Sequence, residues 1–564
     1  MKGSHGVFLR CAVSIVLLGL SLADGWAEQQ ESASCDLIRG TCPDATIAEI
    51  RIHHQDVFEP EDDLPALFPW RTLNRLHINT REGVIQRQLL FAEGERLDPN
   101  LIQEALRNLR VLDYFRDERI ECTLVEPGKV RVDVYLRENW SLIPILGIQG
   151  VDTAQAVTVG VTEQNLLGRG KDLSLWYRKG AERGNTIIED TGAIRYIDPN
   201  ILGSWYQFSS TIQDLETGEF LQAVAEHPFY SLETPWSASA FAQHYRRKRR
   251  LIRNGQIAAE FEQQDDTGGI DFSYALTRGP PVVHRLGPFY QYTQERARDF
   301  RIAAEEGQDL DRPPDDTTSA LGIAYRRLGV HYIIEERISR FDRREDFNIA
   351  NDLDLSLAFS AEVLGADEDE WLFSISDVQG HSFRKGHFLF ARASGEGTLG
   401  GDRVRNGVFS VGYDHYLQDT FLDWGPFLHT LHWLGSFGYG TDLDPDHLLG
   451  LGYPNGLRGY DRNAFTGDKR LLLSLEDRIF LSRNLFGLVA LGFLVFFDSG
   501  YVWDVGEAMD LSDLRYGTGV GLRIALPAVA GPSILQLNWG FPLGSGADPL
   551  GDSIFTVVTS AEFG

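Results

Sequence analysis

The clearest alternation of apolar and polar positions lies near the C-terminal end of the chain. In "YGTGVGLRIAL", Tyr516, Thr518, Val520, Leu522, Ile524 and Leu526 share one face, and Gly517, Gly519, Gly521, Arg523 and Ala525 share the other. "SILQLNWGF" sets Leu535, Leu537, Trp539 and Phe541 against Gln536, Asn538 and Gly540, while "IFTVVTSAEF" sets Phe555, Val557, Ala561 and Phe563 against Thr556, Ser560 and Glu562. A period of two with a greasy face and a polar or small one describes a membrane barrel wall, with lipid outside and a wet lumen inside. A soluble sandwich also alternates, with its greasy side buried, so periodicity by itself leaves both open. Extent favours the barrel: strand texture runs from residue 140 to 564, with five strands after Gly467 near 469–481, 487–499, 516–526, 533–541 and 553–563. Their connections alternate between short ("SRNLFG", "PAVAGPS") and longer ("YVWDVGEAMDLSDLR", "PLGSGADPLGD"), as periplasmic turns and extracellular loops do.

Ahead of this region the period changes. "IAEIRI" reads as a strand and "GVIQRQLLF" as a helix, with Ile85 and Leu89 four apart on one face. "LDPNLIQEALRNLRVL" reads as a longer helix, because Asp98 can cap it, Pro99 suits its first turn, and Ile102, Ala105, Leu106 and Leu109 form a stripe. "RIECTLVEPGKVRVDVYL" is a hairpin turning at Pro127-Gly128, with Ile120, Cys122 and Leu124 on one face of its first strand. The expected unit, residues 47–139, is a small α+β domain in the order strand, helix, helix, strand, strand.

The N-terminus carries Lys2 and Arg10, an apolar run over 11–23, and "GWA" ending at Ala27, the anatomy of a secretory signal peptide over 1–27. Its apolar run is short for a membrane anchor. Residues 28–46 then read as a flexible leader. The whole chain carries a formal charge of −28, and losing Lys2, Arg10 and Asp24 on cleavage makes the mature chain one unit more negative. So acidic a chain lacks the positive field that nucleic acid requires. Cleavage leaves Cys35, Cys42 and Cys122. Cys35 and Cys42 could pair in an oxidising compartment, and Cys122 reads as a buried strand residue. No later stretch supplies the roughly 20 continuous apolar residues of a spanning helix, so a membrane form of this chain must be a closed barrel.

One short stretch asks for an explanation. "GLRGYDRNAF", 456–465, places an arginine and a tyrosine between glycines, just ahead of "KRLLLSLEDRIFLS". That strand puts Leu471, Leu473 and Leu475 on one face and Ser474, Glu476 and Arg478 on the other, so Glu476 is expected in the lumen. In "LGFLVFFDSGYVW", Asp498 is in phase with Gly492, Leu494 and Phe496. An inward-folded loop would let Arg458 meet both carboxylates, with glycines at 456 and 459 giving the sharp turn. The alternative is a solvated loop arginine.

These residues resemble the BamA/TamA superfamily of outer-membrane assembly and secretion barrels, the bacterial surface antigen family. "GLRGY", "GDKRLLLSLEDRIF" and "FFDSGYVW" are similar to its sixth-loop arginine motif, the acidic strand that follows, and its phenylalanine-x-aspartate motif. "VTVGVTEQNLLGRGKDLSLWY" resembles its first hairpin. "TREGVIQRQLLFAEGERLDPNLIQEALRNLRVLDYF" resembles its polypeptide-transport-associated (POTRA) domain, of which this chain has room for one. The resemblance implies a mainly β fold: a 16-stranded antiparallel transmembrane barrel over 140–564, with the loop between strands eleven and twelve, preceded by one POTRA-like periplasmic domain. It implies a loop latch of Arg458, Gly459, Tyr460, Glu476 and Asp498. It also implies a weak seam where first and last strands meet, at Val157, Val159 and Val161 against Phe555, Val557 and Phe563. The work implied is non-enzymatic: capture of an unfolded outer-membrane or secreted polypeptide by β-augmentation, then insertion or translocation in the bacterial outer membrane, among lipid and lipopolysaccharide and with room for accessory periplasmic proteins. A dedicated two-partner-type secretion transporter is one form of this. A passive porin or a surface enzyme barrel is the competing class, and it should not need the Arg458 latch.

Other patterns suggest less. "GDSIF" at Gly551 resembles the start of a hydrolase serine motif, without a recognisable histidine partner, and reads better as a turn. Asp442, Asp444 and Asp446 could bind calcium or form a solvated acidic loop. The basic run 246–253 could touch lipid or lipopolysaccharide phosphates or simply end a hairpin. No phosphate loop or zinc spacing stands out, so no cofactor and no metal are expected.

Overall fold

The computed structural model describes residues 45–559, apart from 61, 152–153, 184–185, 254–255, 304–309, 342, 402, 419–421, 445–446, 454, 462, 532–533 and 545–552. The signal peptide, Cys35 and Cys42, Asp446, Gly551 and Phe563 lie outside the described residues.

A small unit comes first: strand β1 (Thr46–Gln55), helices α1 (Trp70–Leu76), α2 (Glu82–Gln88) and α3 (Pro99–Val111), then strands β2 (Phe115–Glu126) and β3 (Lys129–Glu138). The sheet order is β1-β3-β2, with β1 parallel and β2 antiparallel to the central β3. Asp98 caps α3 by accepting from Asn100 N at 2.8 Å, leaving the stripe Ile102, Ala105, Leu106 and Leu109 to face the sheet. Val130, Val132, Val134 and Leu136 on β3 lie fully buried beneath it. Burying one such side chain completely stabilises by about 1.5–3 kcal/mol, which is why the strand between two others carries the aliphatic run. Helix α1 was not expected. It has no side-chain cap and buries none of its own residues completely; it is held because Trp70 and Leu73 pack with Val57, Phe58 and Ala528 beneath the barrel. The folded unit also starts slightly earlier than the leader boundary suggested, since Ala45 is buried and Thr46 N donates to Gly128 O. Cys122 is disulfide-bonded, and its partner lies outside the described residues. Its reading as a plain buried residue is therefore corrected: it is partly buried on β2 and its sulfur is bridged.

Among the described residues, twenty antiparallel strands, from Leu142–Val151 to Ile554–Thr559, close into a barrel. The expected sixteen is corrected. That number came from the resemblance, whereas the chain supplies a strand with its connection about every 21 residues over this span. The arginine-bearing loop consequently lies between the fifteenth and sixteenth strands, with five strands after it as the alternation indicated. Large apolar side chains such as Leu475, Val495, Val520 and Trp539 point outward and are exposed, which excludes the sandwich, where these faces would form a dry core. Among the described residues no helix is long and apolar enough to cross a membrane.

The first strand is Leu142–Val151, so Val157, Val159 and Val161 are on the second strand rather than at the closure. Pro144 and Gly147 interrupt "LIPILGIQGV", and its alternation is masked in sequence, although Leu142 and Leu146 do face outward. Among the described residues, Ile554–Thr559 meets the first strand at Thr556 with Val151 and at Val557 with Gly150.

The small unit packs against the rim from which the first strand starts. Arg81 N donates to Gly168 O at 2.8 Å, Asn165 Nδ2 to Thr80 Oγ1 at 2.8 Å, and Leu232 N to Glu104 Oε1 at 2.7 Å. Next to this interface, Glu138 ends β3. It accepts from His77 Nε2 at 2.9 Å, His54 Nδ1 at 3.2 Å and Thr80 N at 2.8 Å. Burial alone would raise its pKa, but the hydrogen bonds from His54, His77 and Thr80 outweigh burial and hold the carboxyl below its ordinary 4.5. A depressed carboxyl stabilises the fold above the unfolded pKa, and that contribution fades as pH falls through the folded value. Limited proteolysis between pH 7 and about 3.5 should therefore show residues 45–139 becoming cleavable below about pH 4.5. Glu138→Gln should flatten that dependence; an unchanged profile would mean that another group controls it.

Candidate functional site

The connection between strands Phe427–Thr441 and Lys469–Leu481 folds back into the lumen. Leu457 is completely buried with Leu451 and Leu472, and Leu434, Tyr460, Phe465 and Val502 pack around them. This apolar seat fixes the loop backbone on either side of Arg458. Gly456 and Gly459 have φ of +96° and +103°, a region that L side chains avoid. A Cβ on Gly459 would sit 3.0 Å from the Phe541 carbonyl carbon, so the loop lies directly on the wall. The wall is cut to fit: a Cβ at Gly517 would approach Arg458 O to 2.5 Å, and one at Gly540 would approach Gly459 N to 2.8 Å.

Every nitrogen of Arg458 donates here. Its backbone N and Nε donate to Asp498 Oδ2 at 3.1 and 2.8 Å, and NH2 donates to Asp498 Oδ1 at 2.7 Å. NH1 donates to Glu476 Oε1 at 2.5 Å, and NH2 also reaches Ser474 Oγ at 3.1 Å. The guanidinium lies 3.8 Å from the centre of the Phe496 ring, a cation–π contact. Ser474 Oγ in turn donates to Asp498 Oδ1 at 2.7 Å. Asp498 is fully buried, and the register pairs Ser474 with Asp498 and Glu476 with Phe496, so adjacent strands deliver all four groups. The other oxygen of Glu476 accepts from Arg478 Nε and NH2 at 2.9 and 2.8 Å. Two cations thus meet two carboxylates, which is what makes burying them tolerable. Tyr460 extends the seat, its hydroxyl donating to Tyr516 O at 3.1 Å.

The structure therefore brings Arg458, Gly459, Tyr460, Glu476 and Asp498 together. It does not bring Val157, Val159 and Val161 to the closure, where Gly150, Val151, Thr556 and Val557 meet instead. Phe555 lies one residue away on the last strand, facing outward. Ser474, Phe496, Gly517, Gly540 and Arg478 belong to the site but were not read as such. Their signal was present, since the glycines of "YGTGVGL" occupy the lumen-facing phase without any apparent reason until a loop backbone is laid on them.

The remaining candidates resolve differently. Asp444 is held by Asn406, whose Nδ2 donates to its Oδ2 at 2.7 Å, and the described residues contain no group of three His, Cys, Asp or Glu side chains placed to hold a metal. The basic run lies on Trp236–Arg253, one of three long strands, and much of its charge is matched within the sheet. Lys248 and Arg250 pair with Glu260, and Arg246 pairs with Glu219.

Residues 424–563, which contain the whole latch, match the Omp85 superfamily domain. A stretch of 134 residues is 28% identical to the outer membrane protein assembly factor BamA of Neisseria meningitidis serogroup B, covering 22% of this chain; the chain spans about a sixth (16%) of that relative's length. Among solved structures, CdiB from Escherichia coli overlaps 99% of both chains at 12% identity and a TM-score of 0.43. BamA from Haemophilus ducreyi lacking POTRA domains 1–3 overlaps 91% of this chain and 84% of its own, at 13% and 0.38. Scores this low support no residue-level transfer.

Arg458→Ala leaves two buried carboxylates beside each other with Arg478 and His432, both of which lie against Glu476, to balance them. The expected cost is about 3–5 kcal/mol of barrel stability, read as earlier thermal unfolding in micelles together with protease cleavage inside 442–468. Arg458→Lys should fall between, because an ammonium cannot grip Asp498 with two parallel bonds. A variant as stable and as protected as the parent would remove the knot from the account.

Proposed function

We propose that this Omp85-type barrel works in a bacterial outer membrane, inserting unfolded polypeptides or passing them across, with its POTRA-like domain in the periplasm. The observation that carries the reading is the ionic knot: a loop tied inside the lumen at Arg458, Glu476 and Asp498. A passive pore gains nothing from an obstacle anchored by buried charge, whereas a barrel that must open for a chain and reseal needs a defined closed state. Two further features support it. The domain's sheet leaves β1 and β2 as edges, to which an extended client could add as a strand. The first and last strands meet each other at the closure of the wall, where an extended client could add between them by the same strand pairing.

In this reading a client strand is captured at the domain and delivered to the rim, and the barrel admits it through the lumen or between strands 142–151 and 554–559. No catalytic group is required, because the driving force is the client's own folding or burial on the far side. Lipid and lipopolysaccharide surround the barrel, and accessory periplasmic proteins would engage the domain faces left free. The latch is a positioning device rather than a catalytic one.

Cysteines placed at the register pair Gly150 and Val557 should form a bridge that locks the closure. The expected result is normal folding, seen as an unchanged heat-modifiable band, with client assembly or export blocked and then restored by a reductant. Undiminished export or assembly with the bridge intact would exclude opening between these strands. Depletion followed by proteomics of the outer membrane and secreted fraction separates the two forms: loss of many barrels indicates an insertase, and loss of one exported protein indicates a dedicated transporter.

A further inference from the structure

The connection between strands Asp316–Gly329 and Asp352–Ser360 is not a simple turn. It forms its own hairpin, Tyr332–Glu336 paired with Arg344–Asn348, at the rim where the small domain packs. Its tip enters the barrel mouth. Ile338 is completely buried against Phe388 and Phe390 on one part of the wall, and Phe341 meets Phe480 edge-on at 5.1 Å on another. Between these anchors the wall donates to the backbone of the tip. Gln418 Nε2 reaches Glu336 O at 2.7 Å, Thr430 Oγ1 reaches Arg337 O at 2.9 Å, and Arg523 NH2 reaches Ser339 O at 2.7 Å. The tip is held in shape from within by Glu345, whose Oε1 accepts from the backbone N of Ile338, Ser339 and Arg340 at 3.1, 3.0 and 3.2 Å.

The opposite side of the hairpin is tied to the small domain by charge. Asp346 pairs with Arg110 NH1 at 2.5 Å, while Arg343 and Arg340 both donate to Asp113 Oδ1, at 2.7 and 3.1 Å. Arg344 pairs with Asp117, and the Arg107 guanidinium lies 4.5 Å from the centre of the Tyr332 ring. Apolar contacts and hydrogen bonds hold the hairpin to the barrel, and ion pairs hold it to the domain, from the buried Arg110–Asp346 pair to the exposed Arg344–Asp117 pair. Unlike the apolar anchors, these pairs can be exchanged for other charged partners, provided that the buried ones stay matched.

We propose that residues 330–351 form a second gate, closing the domain-side mouth of the lumen, and that Glu476 couples it to the Arg458 loop. One oxygen of Glu476 takes Arg458 NH1; the other takes Arg478, whose NH1 donates to Ile338 O at 2.8 Å. A single carboxylate therefore stands between the loop that fills the lumen from one side and the hairpin that floors it from the other. Withdrawal of the hairpin frees Arg478 to draw Glu476 away from Arg458, so loosening one gate loosens the other. A chain docking on the domain competes for Arg110, Asp113 and Asp117, and its arrival is thereby signalled to the lumen. This inference rests on the polypeptide-handling reading for its purpose, but its geometry and its test need no client.

The test is single-channel conductance of the full-length barrel in planar bilayers. Arg343→Ala combined with Arg344→Ala removes hairpin–domain pairs and leaves the wall contacts of the tip intact. The expected result is at least a tenfold rise in open time, together with faster protease cleavage of 442–468, the loop on the other side of the lumen. Arg478→Ala, which cuts the link but not the domain pairs, should raise loop cleavage while the double variant's added effect on the loop disappears. If both variants run as folded, heat-modifiable barrels and their conductance matches the parent, the hairpin is not a gate. If conductance rises while loop cleavage stays unchanged, the coupling through Glu476 is wrong. Because no client enters the assay, an open pore with failed transport predictions would sink the proposed function and leave the gate standing.

Discussion

Burying the Arg458 guanidinium beside two carboxylates is tolerable because its charge is matched and its nitrogens all donate, and this requirement organises much of the site. Asp498 and Glu476 come from neighbouring strands, at positions that the pairing register places beside one another. Ser474 and the Phe496 ring complete the cradle. The loop can reach it because Leu457 has an apolar seat, and because glycines on both the loop and the wall remove the side chains that would hold the two backbones apart. Charge matching sets the end point, and packing and glycine geometry make it accessible.

The second constraint is closure. Twenty strands in a ring leave no lateral edge for the lipid to meet, because the first and last strands pair with each other. The polar side of the wall faces a lumen wide enough to admit both a loop and a hairpin, and the greasy side faces outward. The wall between 427 and 543 is cross-braced by the knot and by the hairpin tip.

Much of this was legible in the sequence. The extent of the strand texture favoured the barrel, and period-two alternation set the inward phase of Ser474, Glu476, Arg478 and Asp498, because side-chain direction in a strand is set by parity alone. The order of the small domain followed from one capped helix and one hairpin. What escaped was set by tertiary contact. The strand Leu142–Val151 was hidden by Pro144 and Gly147, and this shifted the closure by one strand. The strand number was not read from alternation: sixteen came from the resemblance, and the wall has twenty. The hairpin at 330–351 carries no local signal of its destination, because a charged "RRED" segment reads as a solvated turn until Arg110, Asp113 and Asp117 are seen across from it. Helix α1 owes its existence to a neighbour, and the Cys122 bridge depends on a partner far away in sequence.

The most direct test of the central claim is amide hydrogen exchange over residues 455–461 in the intact barrel embedded in lipid. A loop tied inside the lumen, with Arg458 N bonded to Asp498, should exchange as slowly as the strands on either side of it. Exchange at the rate of an open, solvated loop would mean that Arg458 is not held by Asp498 and Glu476, and the account built on that tether would fail.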